Sequence, residues 1–253
     1  MDRHGRFADG MIAHGLWLFR WRSYLPLLMI ALLLGGFLQF HYWLDSDRSN
    51  EIWEFSSLGV ALLGLALRIV TVGFVPRGTS GRGTRRLNAS ELNTTAMYSI
   101  VRHPLYLANF VIWLGVLLFF HNPLLLAVGA LAYWLYYERI IVAEEAFLER
   151  TFGASFAAWA AETPALLPRP PWRWRWRKAG LHFSWRSVLR REYSTFFAII
   201  ATFTALQITG DAIVQHRLRV EPAWIAVFCF GAAAYLALRT VKKVTSLLDE
   251  PGR

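Results

Sequence analysis

Six apolar segments recur along this chain, over residues 25–44, 55–75, 104–120, 123–142, 193–213 and 222–240. Each is close to the roughly 20 residues that an α-helix needs to cross the hydrocarbon of a bilayer. Backbone N–H and C=O groups find no water there, so such segments become helices or barrel strands, and segments this long and this continuously apolar become helices. The expectation is an all-α, polytopic membrane helix bundle of roughly six transmembrane helices. Composition agrees, with 55% hydrophobic residues and 12 Trp, which is outside the range of an ordinary soluble domain. Only His121 and Asn122 separate the third segment from the fourth, leaving room for a tight antiparallel hairpin. The first segment reads as a retained anchor, because "QFHYWLDSD" after it offers no small-residue cleavage site. Cys229 is the single cysteine, so there is no disulfide framework.

Basic residues are distributed asymmetrically. Arg20 and Arg22 precede the first segment, Arg77, Arg82, Arg85, Arg86 and Arg102 fill the second connection, and arginines crowd residues 169–191. The first connection carries Asp45, Asp47, Glu51 and Glu54 instead. The positive-inside rule then places both termini and both long polar loops in the cytoplasm, and a net charge of +10 suits contact with anionic headgroups. The "WRWRWRK" stretch could suggest base stacking, but interfacial Trp and snorkelling Arg beside membrane helices account for it, and no nucleic-acid partner is expected. The following "LHFSWRSVLRREYS" suits a helix on the membrane surface.

Polar residues gather at two thresholds. In "MYSIVRHPLYLANFVIWLG", Pro104 suits the first helical position, which puts His103 near the N-cap and Arg102 just outside. A helix N-terminus with an arginine beside it can receive an anionic group; the other reading makes Arg102 and His103 interfacial anchors. The second threshold is "YYERIIVAEEAFLERTFGASFAAW", where Glu138 and Glu145 share a helix face and Glu144 lies beside them. Carboxylates at a cytoplasmic helix end point to a cationic partner, or else to a solvated amphipathic face.

The two blocks in this order, with "PALLP" after the second, resemble the isoprenylcysteine carboxyl methyltransferase family and its relatives that methylate phospholipids. The resemblance covers 58–168. It divides the chain into a leader and first membrane helix (1–57), a methyltransferase-like membrane core (58–168), and a basic aromatic linker with two further membrane helices (169–253). It implies an integral membrane enzyme that uses S-adenosylmethionine, with Arg102, His103, Pro104, Tyr106, Glu144 and Glu145 enclosing the cofactor. The residue chemistry is compatible: carboxylates suit the cofactor's ammonium and sulfonium, and Arg102 or a helix N-terminus suits its carboxylate. Arg102, Glu145 and Arg68 are the candidate catalytic residues. Ala96 and Ala108 stand where the family often has glycine, and Phe156 where it often has tyrosine.

The loop "PRGTSGRGTRR" suggests an acceptor headgroup, since Arg77, Arg82, Arg85 and Arg86 on flexible backbone can converge on phosphate. Arg68, about two turns inside the second segment, either snorkels to the surface or points inward to pair with a carboxylate or substrate. The favoured acceptor is a membrane lipid or lipidated molecule with an anionic or phosphate-bearing head, with phospholipid amine, lipid phosphate and prenylcysteine carboxylate all open. The expected location is a bacterial inner membrane with the site facing the cytoplasm, and no metal site is expected. Two other readings stand beside this one: an NADPH-dependent reductase of sterol-reductase-like architecture, and a non-catalytic scaffold. Tandem glutamates disfavour a polyphosphate cofactor by repulsion.

Overall fold

The computed structural model describes residues 3–21, 24–76, 89–218 and 220–250. They form helices α1 (Arg3–Trp21), α2 (Leu25–Phe37), α3 (Asp47–Gly73), α4 (Pro104–Leu118), α5 (Pro123–Phe152), α6 (Ala154–Glu162), α7 (Trp185–Gln215) and α8 (Pro222–Val244), with no strand among the described residues. Four of these, α3, α5, α7 and α8, have the length and hydropathy of membrane spans, as expected of an integral membrane protein.

The expectation of roughly six spans is met only for those four. Helix α4 has 15 residues and α2 has 13, about 22 and 20 Å at 1.5 Å per residue, both short of the hydrocarbon thickness. The first apolar segment does not run on to residue 44. It stops at Phe37, just past Gly35 and Gly36, where helix propensity is low. Beyond it Phe40 turns into the core and stacks on Phe119 with ring centroids 5.6 Å apart, and Tyr42 donates to Asp211 at 2.8 Å. These tertiary contacts hold the chain in a tight turn, with Leu44 and Asp45 at positive φ. A second difference lies upstream: residues 3–21, read from sequence as part of a leader, form α1, which packs along α5. Gly15 lets α1 approach closely, because a Cβ there would fall 2.1 Å from the carbonyl oxygen of Arg139. Phe19 fills a pocket of Tyr133, Tyr137 and Ile140, and Tyr136 donates to the Leu18 carbonyl at 3.0 Å.

Several helix starts follow their local chemistry. Asn122 accepts from the N–H groups of both Leu124 and Leu125 at 3.0 Å, ahead of Pro123, so the His121–Asn122 hairpin is as tight as its length requires. Ser184 caps α7 by accepting from Ser187 N–H at 3.1 Å. Helices α3 and α4 cross in close contact, with Ala61 and Ala108 fully buried at the crossing. Helices α7 and α8 are integral to the bundle: Ile199, Ile200, Phe203, Leu206 and Trp224 share one core with Leu58, Leu65, Phe119 and Phe120. At the bundle end near the α4–α5 hairpin, buried Glu54 accepts from Asn50 and Trp224, while Asp211 accepts from Tyr42 and Gln207.

Candidate active site

The polar residues lie at the opposite end, where α3 ends and α4 and α7 begin. Pro104 occupies the first turn of α4 with His103 as its N-cap residue, and the backbone there is anchored from outside the helix. The N–H groups of Arg102 and His103 donate to the carbonyls of Pro164 and Ala165 at 2.8 and 3.0 Å, so the segment after α6 fixes the RHP turn.

Within that frame the two thresholds seen in the sequence form a single cluster. The Arg102 guanidinium makes a bidentate pair with Glu145, Nε to Oε1 at 2.8 Å and Nη2 to Oε2 at 2.9 Å. Its Nη1 donates to the carbonyls of Ala160 and Thr163. The anion that meets Arg102 in this structure is therefore Glu145. His103 stands between two carboxylates, Nε2 at 3.0 Å from Glu145 Oε1 and Nδ1 at 3.5 Å from Glu144 Oε2. Tyr106 donates to Glu144 Oε1 at 2.7 Å and stacks on His103 with ring centroids 5.6 Å apart. The carbonyl of Tyr106 accepts from Tyr133 at 2.7 Å, which couples α4 to α5 just below. Glu144 and Glu145 retain 19% and 22% of their side-chain exposure, so the cluster has an open edge lined by carboxylate.

Burial by itself would lower the pKa of His103, but hydrogen bonds and charge from Glu144 and Glu145 outweigh it and raise the pKa above 6.5. With both ring nitrogens facing carboxylates, the imidazolium is the form that fits. A group whose pKa is higher in the folded state contributes stability below its unfolded value, and that contribution is lost as pH rises through the folded value. The melting temperature of detergent-purified protein is accordingly expected to fall on raising the pH upward from 6.5, and His103→Gln is expected to flatten that fall. Parallel profiles for the two proteins would refute the protonated assignment.

A second group lies one layer deeper. Arg68 of α3 pairs with Glu192 of α7, Nε to Oε2 at 2.7 Å and Nη2 to Oε1 at 3.0 Å, and its Nη1 donates to Asn109 of α4 at 2.6 Å. Of the two readings of Arg68, the structure shows the inward one, with a carboxylate as partner. Tyr98 lies in the turn before the RHP segment. Burial and then Glu144 push its phenol pKa up, while Arg191 and Arg68 pull it down.

Residues 56–155 match the phospholipid methyltransferase family. Over that stretch the chain is similar to these methyltransferases. The match holds Arg68, Arg102, His103, Tyr106, Asn109, Glu144 and Glu145, whereas Glu192 and the carbonyls that fix Arg102 lie beyond it. The chain is also 32% identical over 149 residues to the nickel-cobalt-cadmium resistance protein NccN of Alcaligenes xylosoxydans xylosoxydans, covering 59% of this chain and 63% of that protein. It is 32% identical to the cobalt-zinc-cadmium resistance protein CzcN of Cupriavidus metallidurans, over 59% of this chain and 62% of that one. It is 29% identical to the protein-S-isoprenylcysteine O-methyltransferase of Schizosaccharomyces pombe, over 48% of this chain and 52% of that one. The chain thus spans less than two thirds of the length of these relatives. No solved structure matches.

The structure brings together Arg102, His103, Pro104, Tyr106, Glu144 and Glu145, and sets Arg68 deeper along α3. Arg77, Arg82, Arg85 and Arg86 lie outside the described residues. Sequence reading missed Glu192, Asn109 and Tyr98. Asn109 is one turn along α4 from Tyr106 and was legible as a polar residue on the same face. Glu192, an acid directly after two arginines, gave no such signal because its partner is distant in sequence.

Proposed function

We propose that the protein is an S-adenosylmethionine-dependent methyltransferase acting on a membrane-embedded lipid or lipidated acceptor. The observation that carries this reading is the RHP–Glu144–Glu145 cluster within a family-matched core. Its donor set fits the cofactor. Two carboxylates with an open edge suit an ammonium and a sulfonium, and Tyr106 and His103 hold Glu144 in position for them. S-adenosylmethionine, when bound, supplies an electrophilic methyl group. Arg102 fixes Glu145 and the connector after α6, and His103 keeps the two carboxylates from repelling one another. Such a site accelerates reaction chiefly by positioning, and no residue is assigned as general base.

The orientation that goes with this reading has both termini and the site on the cytoplasmic face of a bacterial inner membrane, with the short α2 and α4 completing a six-pass arrangement. The arginines at 77, 82, 85 and 86 are proposed to attract the acceptor headgroup, and 58–168 to form the methyl-transfer core. Carboxylates at the cluster edge disfavour the phosphates of NADPH.

Thermal stabilisation tests the reading. A ligand present at about 100 times its dissociation constant stabilises the folded state by about 2.7 kcal/mol. S-adenosylmethionine or S-adenosylhomocysteine is expected to raise the melting temperature of the purified protein, with NADPH inert. Incubating membranes with methyl-labelled S-adenosylmethionine would then identify the labelled acceptor. Stabilisation by NADPH alone would overturn the proposal in favour of a reductase.

A further inference from the structure

Residues 164–178, which follow α6, are fastened at both ends to the segment that leads into α4. At one end the carbonyls of Pro164 and Ala165 accept from Arg102 and His103. At the other, the Arg177 carbonyl accepts from Ala96 N–H at 2.8 Å and the Arg177 N–H donates to Ser99 Oγ at 3.0 Å. Ser99 and His103 are at most about 14 Å apart even on extended chain, whereas residues 165–177 could reach about 40 Å, so the stretch between its fastenings bows away from the bundle. The bow has its own bonds. Trp174 Nε1 donates to the Arg169 carbonyl at 2.6 Å, the Arg173 N–H donates to the Pro170 carbonyl at 2.8 Å, and Trp176 meets Phe74 edge-on with ring centroids 5.9 Å apart. Residues 167–178 are all exposed, Trp172 to 82%. Arg177 pairs with Glu162, but among the described residues no carboxylate pairs with Arg169, Arg173, Arg175 or Lys178.

We propose that this bow is a docking site for anionic lipid of the surrounding bilayer, and that the docked lipid, which is not the methyl acceptor, steadies the RHP turn through the two fastenings. Indole rings are favoured at the headgroup level, and guanidinium groups between them take phosphate through paired N–H donors. Charge complementarity selects the occupant. Residues 164–178 contain no acid, and the bow stands at the bundle end where α3 stops and α7 starts, which is where the headgroups of a bilayer lie. Restraint on the bow passes through Arg177 to the Ala96–Ser99 turn, and through Pro164 and Ala165 to Arg102 and His103. Its consequence for the site rests on the methyltransferase reading; the lipid contact does not.

The test reconstitutes the full chain into nanodiscs of phosphatidylcholine alone, or of phosphatidylcholine with phosphatidylglycerol, and follows amide hydrogen exchange. Residues 172–178 should exchange at least about fivefold more slowly in the anionic discs, the weight of a single arginine at an anionic surface. The slowing should extend to the Arg102 and His103 amides, and raised salt should diminish it by screening. Arg173→Gln combined with Arg175→Gln should remove most of the slowing and leave the melting temperature in phosphatidylcholine discs unchanged, because both side chains are exposed and in no ion pair. Equal exchange in the two discs, slowing that survives the double substitution, or slowing confined to the bow overturns the proposal. Methylation of the phosphatidylglycerol itself would do so too, by making it the acceptor. Stronger protection by a single-stranded oligonucleotide in phosphatidylcholine discs than by phosphatidylglycerol would also overturn it, in favour of a nucleic-acid surface. S-adenosylhomocysteine, titrated into the same discs, is expected to bind more tightly in the anionic ones, and equal affinity in both would sink the coupling to the site. No binding in either disc counts against the methyltransferase reading alone, since hydrogen exchange reports the lipid contact without any cofactor.

Discussion

Arg102→Ala is expected to destabilise the protein by about 3 kcal/mol, the lower end of the range for removing one partner of a buried ion pair, since Glu145 keeps some contact with water. The effect is large because one guanidinium serves three groups. It neutralises Glu145 through two bonds, and it satisfies the carbonyls of Ala160 and Thr163, which tie α6 and the segment after it to the RHP turn. The variant leaves His103 as the remaining cation between two carboxylates, and repulsion between Glu144 and Glu145 spreads the open edge. Arg102→Lys keeps the charge but cannot reproduce the planar fork, so it should recover only part of the loss. Denaturation of the purified protein followed by circular dichroism checks the stability change, and titration with S-adenosylmethionine checks the site. A variant as stable as wild type would show that the pair and its carbonyl contacts contribute nothing measurable.

Gly115→Val is expected to prevent assembly of the bundle. A Cβ at Gly115 would lie 2.6 Å from both the Ala61 nitrogen and the Ser57 carbonyl oxygen, and one at Gly64 would lie 2.6 Å from the Ile112 nitrogen. These obstacles are backbone atoms, so relief requires α3 and α4 to move apart rather than a side chain to rotate. Close approach through small residues is what holds membrane helices together, because lipid and leucine are equally apolar and burial gives little drive for association. Overpacking of a tight contact costs about 1 to 3 kcal/mol for small insertions, so Gly115→Ala should fall at the upper end and Gly115→Val beyond it. The consequence reaches the site, since α3 carries Arg68 and α4 carries His103, Tyr106 and Asn109. Gly59 on the same α3 is the control: a methyl group added there would meet nothing within 4 Å, and Gly59→Ala should be neutral or slightly stabilising. Monodispersity on size-exclusion chromatography and melting temperature would decide it. Equal behaviour of Gly59→Ala and Gly115→Ala would refute the close crossing.

Much of the architecture was legible in the linear pattern. Membrane segments must satisfy their own backbone, so long apolar runs became helices α3, α5, α7 and α8. The two-residue His121–Asn122 connection forced a hairpin, and Pro104 marked the start of α4. Residue types also pointed to the cluster, because charges at a membrane threshold are costly unless used. Three things were not legible. Apolar content could not show that 25–44 breaks at Phe37, because the break depends on Phe40 and Tyr42 finding partners just past the end of α4 and on α7. The amphipathic stretch 3–21 could not reveal that it docks on α5, because the contact needs Gly15 to face a particular carbonyl. The sequence also presented Arg102 and Glu145 as separate features 43 positions apart, each awaiting a ligand.

What the amino-acid sequence determined by itself is local: which segments are helical and apolar, where they start, and which titratable groups sit at their ends. Those properties depend on a residue and its near neighbours. Tertiary structure alone decided the pairings, Arg102 with Glu145, His103 between Glu144 and Glu145, and Arg68 with Glu192, which lies 124 positions away. A charge buried in a bundle takes whichever partner packing brings within about 3 Å, and helix crossings such as that at Gly64 and Gly115 set that distance.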